Sequence, residues 1–465
     1  MDNKLVIRFE AGTLLVEAPQ TDSGVPLENW CVWDTRVEQW RGNACVYPEM
    51  VTWLYRNRIA YDDQARAYEN VPLRQQGERP PRDYQQEALE AWRNAARRGV
   101  VVLPTGTGKT FVAHLAMESC ARSTLVVVPT IDLMTQWAGQ LERAFGLKVG
   151  MLGGGSKEIR PVTVATYDSA LLMMEYIGNR FGLLVVDECH HLPGATYQQL
   201  ARACLAPFRL GLSATPERND GAETVLDELL GPVCYRSDIT EMEGQYLAPY
   251  RTEIVPVSLT PDEYAEYRRN RELYVNFVRA QRISFATPQG WGMFLRACAR
   301  HPGGREAFTA YLAQRRIAFG GRSKMDMVWT LLRRHAGERA IVFTADNRTA
   351  YELGERFLLP VITHHTKANE RKEMLESFRD GEYLCLVTSK VLNEGVDVPE
   401  ASVGIVVSGS GSTREHVQRL GRILRPREGK SAVLYEIISQ ETGEWNTSDR
   451  RRQSSAYERT DSLSY

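Results

Sequence analysis

The first stretch of the chain alternates apolar and polar residues on both sides of a glycine. Residues 3–17 read KLVIRFEAGTLLVEA around Gly12, a pattern that predicts a β-hairpin. Residues 28–70 follow with several tryptophans and tyrosines, which indicates a small α+β domain over residues 1–75. A polar, Pro-rich stretch at 74–85 ends this domain and is typical of a linker.

From residue 82 the pattern changes to short apolar runs separated by helical stretches such as 108–120 and 131–145. The runs read VVVLPTG, TLVVVPT, PVTVATYD, LLVVDECH and FRLGLSATP. Continuous apolar strands with polar ends are typical of a parallel sheet covered on both faces. The pattern therefore predicts a parallel-sheet domain over residues 76–240.

A basic helical stretch at 241–325 interrupts this pattern, which then resumes. The second set of apolar runs reads RAIVFTADN, VITHH, LCLVTSK, ASVGIVVSG and SAVLYEI and predicts another parallel-sheet domain over residues 326–440. The remaining residues, 441–465, are polar and charged, and we expect a tail that is mobile at its end. The predicted fold class is α/β, with two parallel-sheet domains, a small N-terminal α+β domain and a helical insertion.

Bulk composition is that of a soluble globular protein, with 43% hydrophobic residues, 25% charged residues and a net charge of −1. The sequence contains no apolar run near the roughly 18 residues that a membrane span needs, and we expect no signal peptide and a cytoplasmic location. The eight cysteines are scattered without a C-x-x-C pair. This spacing argues against a structural metal and favours reduced thiols.

Local charge differs from the bulk in the insertion. Residues 258–324 contain twelve Lys and Arg against five Asp and Glu, with aromatic residues between them. A basic, aromatic segment can attract phosphates although the whole chain is nearly neutral. The alternative is a solvated, arginine-rich pair of helices.

A glycine-rich loop, LPTGTGKT at 103–110, directly follows a predicted strand. Backbone N–H groups of such a loop wrap phosphates, its lysine meets the β- and γ-phosphates, and its hydroxyl binds Mg²⁺. The strict G-x-x-x-x-G-K-[ST] motif fails because Leu103 occupies the position of its first glycine, and the alternative is a simple turn between strand and helix. The predicted nucleotide-binding residues are Thr105, Gly106, Thr107, Gly108, Lys109 and Thr110.

Two adjacent carboxylates end another apolar strand in VVDECHH at 185–191. We expect Asp187 to hold Mg²⁺ together with Thr110, and Glu188 to orient and deprotonate the attacking water. The alternative is a charge pair at a helix N-terminus. Cys189 is interpreted as a packing residue, and His190 either as a switch residue or as a capped loop histidine.

Two further motifs complete the set: SAT at 213–215 and QRLGRILR at 418–425. If ATP lies between the two sheet domains, Arg422 and Arg425 can reach its γ-phosphate as arginine fingers. Gln418 in the same segment is a further predicted nucleotide contact. The alternative is a basic helix that pairs with surface acids.

The ordered series LPTGTGKT, VVVPT, DECH, SAT, NEGVDVP and QRLGRILR resembles the motif set of superfamily 2 helicases over residues 82–438. The resemblance implies two RecA-like domains in tandem. It also accounts for Leu103, because that superfamily does not require the first glycine.

Within the superfamily, the sequence is similar to the short archaeal and bacterial xeroderma pigmentosum group B (XPB) helicases. The resemblance implies that Arg82 and Gln85 belong to the segment before the phosphate loop, with Gln85 reading adenine. It assigns the helical insertion to a thumb that grips duplex DNA. The 1–75 domain corresponds to the damage-recognition domain by position alone, since no residue motif supports that match.

The resemblance also implies individual residue roles. Gly395 and Asp397 link the tracking strand to the nucleotide. The alternative for these two residues, and for Thr130, Thr166 and Thr388, is a loop-capping role. The family has an Arg-Glu-Asp motif after SAT, which is degenerate here because Asn219 stands between Arg218 and Asp220. The predicted DNA contacts are Thr130, Thr166, Arg218, Asp220, Arg268, Arg269, Arg271 and Thr388.

These patterns predict an ATP- and Mg²⁺-dependent DNA helicase or translocase, expected to move 3′ to 5′ on duplex, forked or bubble DNA, in the prokaryotic cytosol or nucleoid. Nucleotide excision repair or transcription-linked opening of DNA is the expected setting. An RNA helicase would share the motor. The other alternative is an ATP-switched DNA-binding platform that positions a partner nuclease, as the resemblance to archaeal members suggests, and an intrinsic nuclease is the weakest hypothesis.

Overall fold

The computed structural model describes residues 4–18, 24–77, 80–217, 221–285, 287, 289–389, 401–409, 421, 432–445, 448 and 460–462. The chain divides into two compact units, Met1–Asp238 and Ile239–Tyr465. Among the described residues, no helix is both long enough and apolar enough to cross a membrane.

The N-terminal part of the first unit forms the predicted hairpin and a small sheet. Gly12 has φ 75°, as a tight turn between two strands requires. In the described residues this sheet has the strand order β3-β4-β2-β1-β5. The bounds are β1 Leu5–Glu10, β2 Thr13–Glu17, β3 Cys31–Asp34, β4 Gln39–Asn43, α1 Tyr47–Arg56 and β5 Tyr61–Asp63.

This small domain packs on the remainder of its unit. Ala67 N donates to Asn179 O at 3.1 Å, and Asn179 Nδ2 donates to Ala65 O at 2.8 Å. Leu205 is fully buried within the hydrophobic core of the small domain. The two parts of the first unit therefore share backbone hydrogen bonds and a core residue.

The larger part of the first unit is the predicted parallel-sheet domain. Within the described residues its strand order is β13-β6-β12-β11-β7-β10-β8-β9, and the pairs are parallel except β8–β9. The bounds are α2 Asp83–Asn94, β6 Arg98–Val102, α3 Lys109–Cys120, β7 Thr124–Val128, α4 Ile131–Phe145, β8 Gly150–Gly153, β9 Ser156–Lys157, β10 Val162–Thr166, α5 Tyr167–Ile177, β11 Leu183–Asp187, α6 Gln198–Arg202, β12 Phe208–Ser213, α7 Val225–Leu229 and β13 Val233–Arg236.

The central strands of this sheet are buried on both faces. Every residue of β7, β10 and β11 is buried, because helices cover both sides. This explains why these strands appear in the sequence as continuous apolar runs. Since parallel strands all end at the same edge of the sheet, the polar residues that follow them come together there.

The second unit holds the other predicted parallel sheet. Its strand order in the described residues is β16-β17-β15-β18-β19-β14-β20. The bounds are α8 Ile239–Met242, β14 Tyr250–Val257, α9 Pro261–Ala280, α10 Gly290–Arg300, α11 Gly304–Gly320, α12 Arg322–Arg334, β15 Ala340–Phe343, α13 Asn347–Phe357, β16 Val361–Ile362, α14 Ala368–Asp380, β17 Cys385–Thr388, β18 Val403–Val406, β19 Ala432–Ser439 and β20 Thr460–Ser462.

The helical insertion forms as predicted, with a core of its own. Helices α9, α10 and α11 pack around Phe277, Phe294 and Ala307. One boundary differs from the prediction: β14, inside the range 241–325, is a sheet strand paired with β19 along its whole length. The sequence did not predict this strand because the residues around it are basic. In the structure, Thr252–Val255 is continuously buried.

Described residues after 440 contribute contacts to the second unit. Glu444 is buried and forms an ion pair with the fully buried Lys324 at 2.7 Å. Lys324 Nζ also donates to Val407 O at 2.6 Å and to Ile437 O at 2.9 Å. Removing one partner of a buried pair costs about 3–5 kcal/mol. Farther on, β20 pairs with β14, and the expected mobility at the end of the tail stays a prediction.

Candidate nucleotide-binding and hydrolysis site

The phosphate loop lies between β6 and α3, where the sequence predicted it. Gly106 and Gly108 have φ of 87° and 89°, a region that side chains with a Cβ rarely adopt. Lys109 begins α3, and its Nζ donates to Leu103 O at 3.3 Å. Leu103 itself is fully buried, and its N–H donates to Ser213 O at 3.0 Å. A leucine at this position therefore serves to pack the loop on the sheet.

The segment Arg82–Gln85, which precedes the phosphate loop in the sequence, forms hydrogen bonds to the loop backbone. Tyr84 donates its hydroxyl to Thr107 O, and Gln85 Nε2 lies 3.3 Å from that oxygen and 3.4 Å from Gly108 O. Gln85 Oε1 accepts the N–H of Arg82 at 3.0 Å, and the side chain is fully buried. The amide of Gln85 thus joins Arg82 to the phosphate loop, and the reading of adenine by this residue stays a prediction.

Asp187 is the last residue of β11 and Glu188 follows it, and hydrogen bonds hold the Asp187 carboxylate in place. Asp187 Oδ1 accepts the N–H of Glu188 at 3.0 Å, and Oδ2 accepts the indole N–H of Trp137 at 2.8 Å. Burial and the neighbouring Glu188 raise the pKa of Asp187, while the positive charge of Lys109 opposes that shift. The loop lysine and this carboxylate therefore belong to one electrostatic site.

Glu188 adopts a left-handed backbone conformation, with φ 46° and ψ 51°. For a residue with a side chain this costs about 1–2 kcal/mol, so neighbouring groups must hold it. The Tyr167 hydroxyl lies 3.0 Å from Asp187 O and 3.2 Å from Glu188 O. This turn directs Glu188 Oε2 toward His190 Nδ1, at 3.4 Å.

Ser213, the first residue of the SAT motif, connects that motif to the acidic turn formed by Asp187 and Glu188. Its hydroxyl lies 3.3 Å from Nδ1 of the fully buried His190, and it accepts the N–H of Thr215 at 3.2 Å. The SAT motif therefore meets both the phosphate loop, through Leu103, and the acidic turn. Cys189 is fully buried, and burial raises the pKa of its thiol, which confirms its interpretation as a packing residue.

The donor set fits a magnesium nucleotide. Among the described residues the Thr105 hydroxyl is buried and has no hydrogen-bond partner, which suits a position beside a phosphate group. Thr110 and Asp187 offer hydroxyl and carboxylate oxygens, the ligands that Mg²⁺ prefers. Asp187 keeps lone pairs available after its two hydrogen bonds, because a carboxylate can accept about four.

Family models match three successive parts of the chain. Residues 7–65 match the xeroderma pigmentosum group B helicase damage recognition domain, and residues 78–218 match the type III restriction enzyme res subunit. Residues 314–456 match the ERCC3/RAD25/XPB C-terminal helicase. The chain is also 41% identical over 372 residues to a "DNA 3′-5′ translocase XPB2" of Sulfurisphaera tokodaii, covering 80% of this chain and 84% of that protein.

The chain belongs to the XPB helicase family. It is also 34% identical over 375 residues to a "DNA 3′-5′ helicase XPB" of Kineococcus radiotolerans, covering 78% of this chain but 60% of that longer protein. The match over residues 7–65 supplies for the N-terminal domain the evidence that no sequence motif could provide.

A solved structure supports the RecA-like fold. The helicase domain of Pyrococcus furiosus Hef matches with a TM-score of 0.55 and 20% identity, over 80% of this chain and 98% of that one. This likeness confirms the predicted fold class of the XPB-family chain.

The structure gives local roles to three predicted DNA contacts. Thr130 caps α4, and its hydroxyl accepts the N–H of Leu133 at 3.2 Å. Thr166 caps α5, where its hydroxyl accepts the N–H of Ser169 at 3.4 Å. Thr388 is fully buried, and its hydroxyl donates to Ser389 O at 3.1 Å. Contact with DNA stays a prediction for all three residues.

The remaining predicted DNA and nucleotide contacts divide into two groups. Arg268, Arg269 and Arg271 are exposed on α9, as a phosphate-binding surface requires. The predicted residues that lie outside the described part of the chain are Arg218, Asp220, Gly395, Asp397, Gln418, Arg422 and Arg425.

Three residues around the site were missed by the sequence analysis. Trp137 and Tyr167, described above, hold the acidic turn. His114, on the helix that begins at Lys109, is buried among Phe111, Trp137 and Phe145. Each of them has the appearance of an ordinary core residue in the sequence, and no motif distinguishes it.

His114 leads to a prediction about acid stability. Burial lowers the pKa of His114 to about 4 from the usual 6.5. Below about pH 6.5 this imidazole therefore binds a proton in the unfolded chain but not in the folded one. We expect this group alone to remove up to about 3 kcal/mol of stability between pH 6.5 and pH 4. Chemical denaturation of wild type and His114→Phe across this range measures the difference.

The variant should retain more of its stability on acidification than the wild type does. His301→Phe is the control, because His301 is exposed and its change should leave the pH dependence unaltered. Parallel stability–pH curves for wild type and His114→Phe would contradict the assignment of a neutral, buried imidazole.

Proposed function

We propose that this chain couples ATP hydrolysis at Lys109, Asp187 and Glu188 to 3′-to-5′ movement along DNA. Family membership makes it an ATP-dependent DNA helicase, and the residue roles are our assignment. The observation that carries the assignment is the meeting of the phosphate loop, the acidic turn and Ser213 at one edge of a parallel sheet. Ligands of such sheets bind at that edge.

In this proposal the loop binds the nucleotide by its phosphates. The N-terminal end of α3 and the glycine-rich backbone face the negative charge, and Lys109 neutralises it. Thr110 and Asp187 would hold Mg²⁺, which neutralises charge on the transferring phosphate when bound. Gln85 and Tyr84 keep the loop in shape through Thr107.

Glu188 is the proposed base that orients and deprotonates the attacking water. Its left-handed backbone and its contact with His190 restrict where the carboxylate can lie. Such restriction favours catalysis, because a positioned group loses less entropy in the transition state. Arg422 and Arg425 are proposed, on the family motif alone, to stabilise the charge of phosphoryl transfer.

DNA is the proposed polymer on which the motor acts. Contacts to phosphates carry little sequence information, so we expect binding that depends on DNA structure and weakens steeply with salt. A role in excision repair or transcription-linked opening, a partner nuclease and a location in the prokaryotic cytosol or nucleoid are proposed from the family resemblance.

The ATPase rate tests this function when it is measured without nucleic acid and with single-stranded, duplex and forked DNA and RNA. We expect DNA to stimulate hydrolysis, and forked DNA to do so more than RNA. Hydrolysis that ignores DNA, or that RNA stimulates more strongly, would contradict a DNA motor.

The thumb helices carry a separate prediction. Arg268 and Arg271 lie against the rings of Tyr264 and Tyr267, each at 6.0 Å, and Arg268, Arg269 and Arg271 are all exposed. We expect the triple change of Arg268, Arg269 and Arg271 to Glu to weaken duplex binding. The salt dependence, d log K/d log[salt], should shrink by about 1 for each DNA phosphate that the variant no longer neutralises.

The control is a triple reversal at Arg333, Arg334 and Arg379, which are exposed elsewhere in the same unit. It changes the net charge equally and should alter the salt slope less. Fluorescence anisotropy with labelled duplex measures the affinity of both variants. Equal salt slopes would show that the thumb, helices α9 to α11, does not contact DNA.

A further inference from the structure

Two aromatic side chains hold the catalytic acidic turn, and each comes from a different helix. Trp137 on α4 donates its indole N–H to Asp187 Oδ2 at 2.8 Å, with both residues buried. Tyr167 at the start of α5 has its hydroxyl 3.0 Å from Asp187 O and 3.2 Å from Glu188 O. The indole N–H of Trp137 is a donor only, and the hydroxyl of Tyr167 faces two carbonyl oxygens, to which it can only donate. Both side chains therefore donate hydrogen bonds to the turn.

The same two helices begin at the residues predicted to contact the tracking strand. Thr130 caps α4 and Thr166 caps α5. Trp137 follows Thr130 by seven residues, which places it on the same face of the helix about 10 Å along the axis. Tyr167 directly follows Thr166. Each helix is therefore a rigid connection of at most two turns between a predicted DNA contact and a donor to the acidic turn.

We propose that Trp137 and Tyr167 are positioning residues that transmit DNA binding at the starts of α4 and α5 to the Asp187–Glu188 turn. The proposal rests on the proposed function, since it requires a DNA motor with this hydrolysis site. Binding of a strand shifts or stiffens the two helices, and the indole and the hydroxyl carry that change to the carboxylate and to the strained backbone of Glu188.

The arrangement is sensitive because the acidic turn has little freedom to adjust. Glu188 has φ 46°, so its conformation persists only while its neighbours hold it. Asp187 is the predicted metal ligand, and loss of an outer partner of a metal ligand typically lowers metal affinity or activity about 10- to 100-fold.

Conservative variants with matched controls test the proposal. Tyr167→Phe removes only the hydroxyl donor, whereas Trp137→Phe removes the indole donor together with one ring, a loss of volume that the control Trp92→Phe reproduces. Trp92→Phe removes a buried indole N–H whose partner is Arg209 O, and Tyr47→Phe removes a buried hydroxyl whose partner is Asp63. Both controls lie in the same unit and outside the site.

Three quantities are measured for each variant: Mn²⁺ affinity in the presence of ADP by electron paramagnetic resonance, forked-DNA affinity, and the ratio of DNA-stimulated to basal ATPase rate. We expect Trp137→Phe to weaken Mn²⁺ binding and to lower the stimulation ratio, each about 10-fold or more. Tyr167→Phe should lower the ratio about 5-fold, the equivalent of one ordinary hydrogen bond. DNA affinity should match that of the controls.

A stimulation ratio or a Mn²⁺ affinity of Trp137→Phe equal to that of Trp92→Phe would overturn the proposal. If Trp137→Phe does not fold, Tyr167→Phe decides in the same way against Tyr47→Phe. Wild-type hydrolysis that ignores DNA would instead overturn the proposed function and this inference with it. Wild-type stimulation that survives both changes would overturn the inference alone.

Discussion

Lys109→Ala should lower ATP hydrolysis about 10²- to 10³-fold or more, the loss typical of removing one preorganised charge-stabilising donor. Lys109 begins α3, and its Nζ reaches back over the loop to Leu103 O at 3.3 Å. The ammonium group thus lies at the start of the helix, where we propose that the phosphate oxygens bind. Steady-state ATPase rates with saturating forked DNA measure the effect.

Lys148→Ala is the control, because Lys148 is exposed in the same unit and its loss removes the same charge. Its ATPase rate should match the wild type. Wild-type hydrolysis by Lys109→Ala would contradict the placement of the nucleotide on this loop.

Glu188→Gln should lower the DNA-stimulated rate about 10²- to 10⁴-fold, the usual contribution of a general base. Glutamine has nearly the same shape but cannot accept the proton of the attacking water. Nucleotide and DNA binding should persist, because the loop and the carboxylate of Asp187, which we propose as the metal ligand, are unchanged. Single-turnover hydrolysis, with nucleotide affinity measured separately, distinguishes loss of chemistry from loss of binding.

Glu158→Gln removes an exposed carboxylate that pairs with Arg160 and should leave hydrolysis unchanged. Undiminished hydrolysis by Glu188→Gln would show that another group activates the water. A loss of nucleotide affinity as large as the loss of rate would show that Glu188 acts in binding.

Local pattern was sufficient to predict the parts of the fold that depend on a single element. Helix α4 begins at Ile131 and ends at Phe145, as the sequence predicted, because its cap and its apolar spacing are encoded locally. The hairpin at Gly12 and the strands that appear as apolar runs, β6, β7, β10, β11 and β12 in one sheet and β15 to β19 in the other, follow for the same reason. Asp187 could be predicted because polar residues after apolar strands meet at one sheet edge.

Features that depend on distant partners could not be predicted in this way. Strand β14 owes its place to pairing with β19, which lies far along the chain. Glu444 appeared to belong to a polar tail because its partner, Lys324, is on another element. In each case a long-range contact outweighed local composition.

The same limit applies within the site. Gln85 appears in a motif, but only the structure shows that its amide is used by Arg82 N and by the carbonyls of Thr107 and Gly108. Trp137 gives no signal at all, since a buried tryptophan in a helix appears in the sequence as a packing residue. Its indole becomes functional only because β11 brings Asp187 to it.

The central claim is that hydrolysis at this site drives movement along DNA, and streptavidin displacement tests it most directly. Single strands carrying biotin at the 3′ or the 5′ end are incubated with streptavidin, the protein and ATP. We predict ATP-dependent displacement from the 5′ end that Glu188→Gln abolishes. Displacement from the 3′ end, or undiminished displacement by Glu188→Gln, would contradict the account.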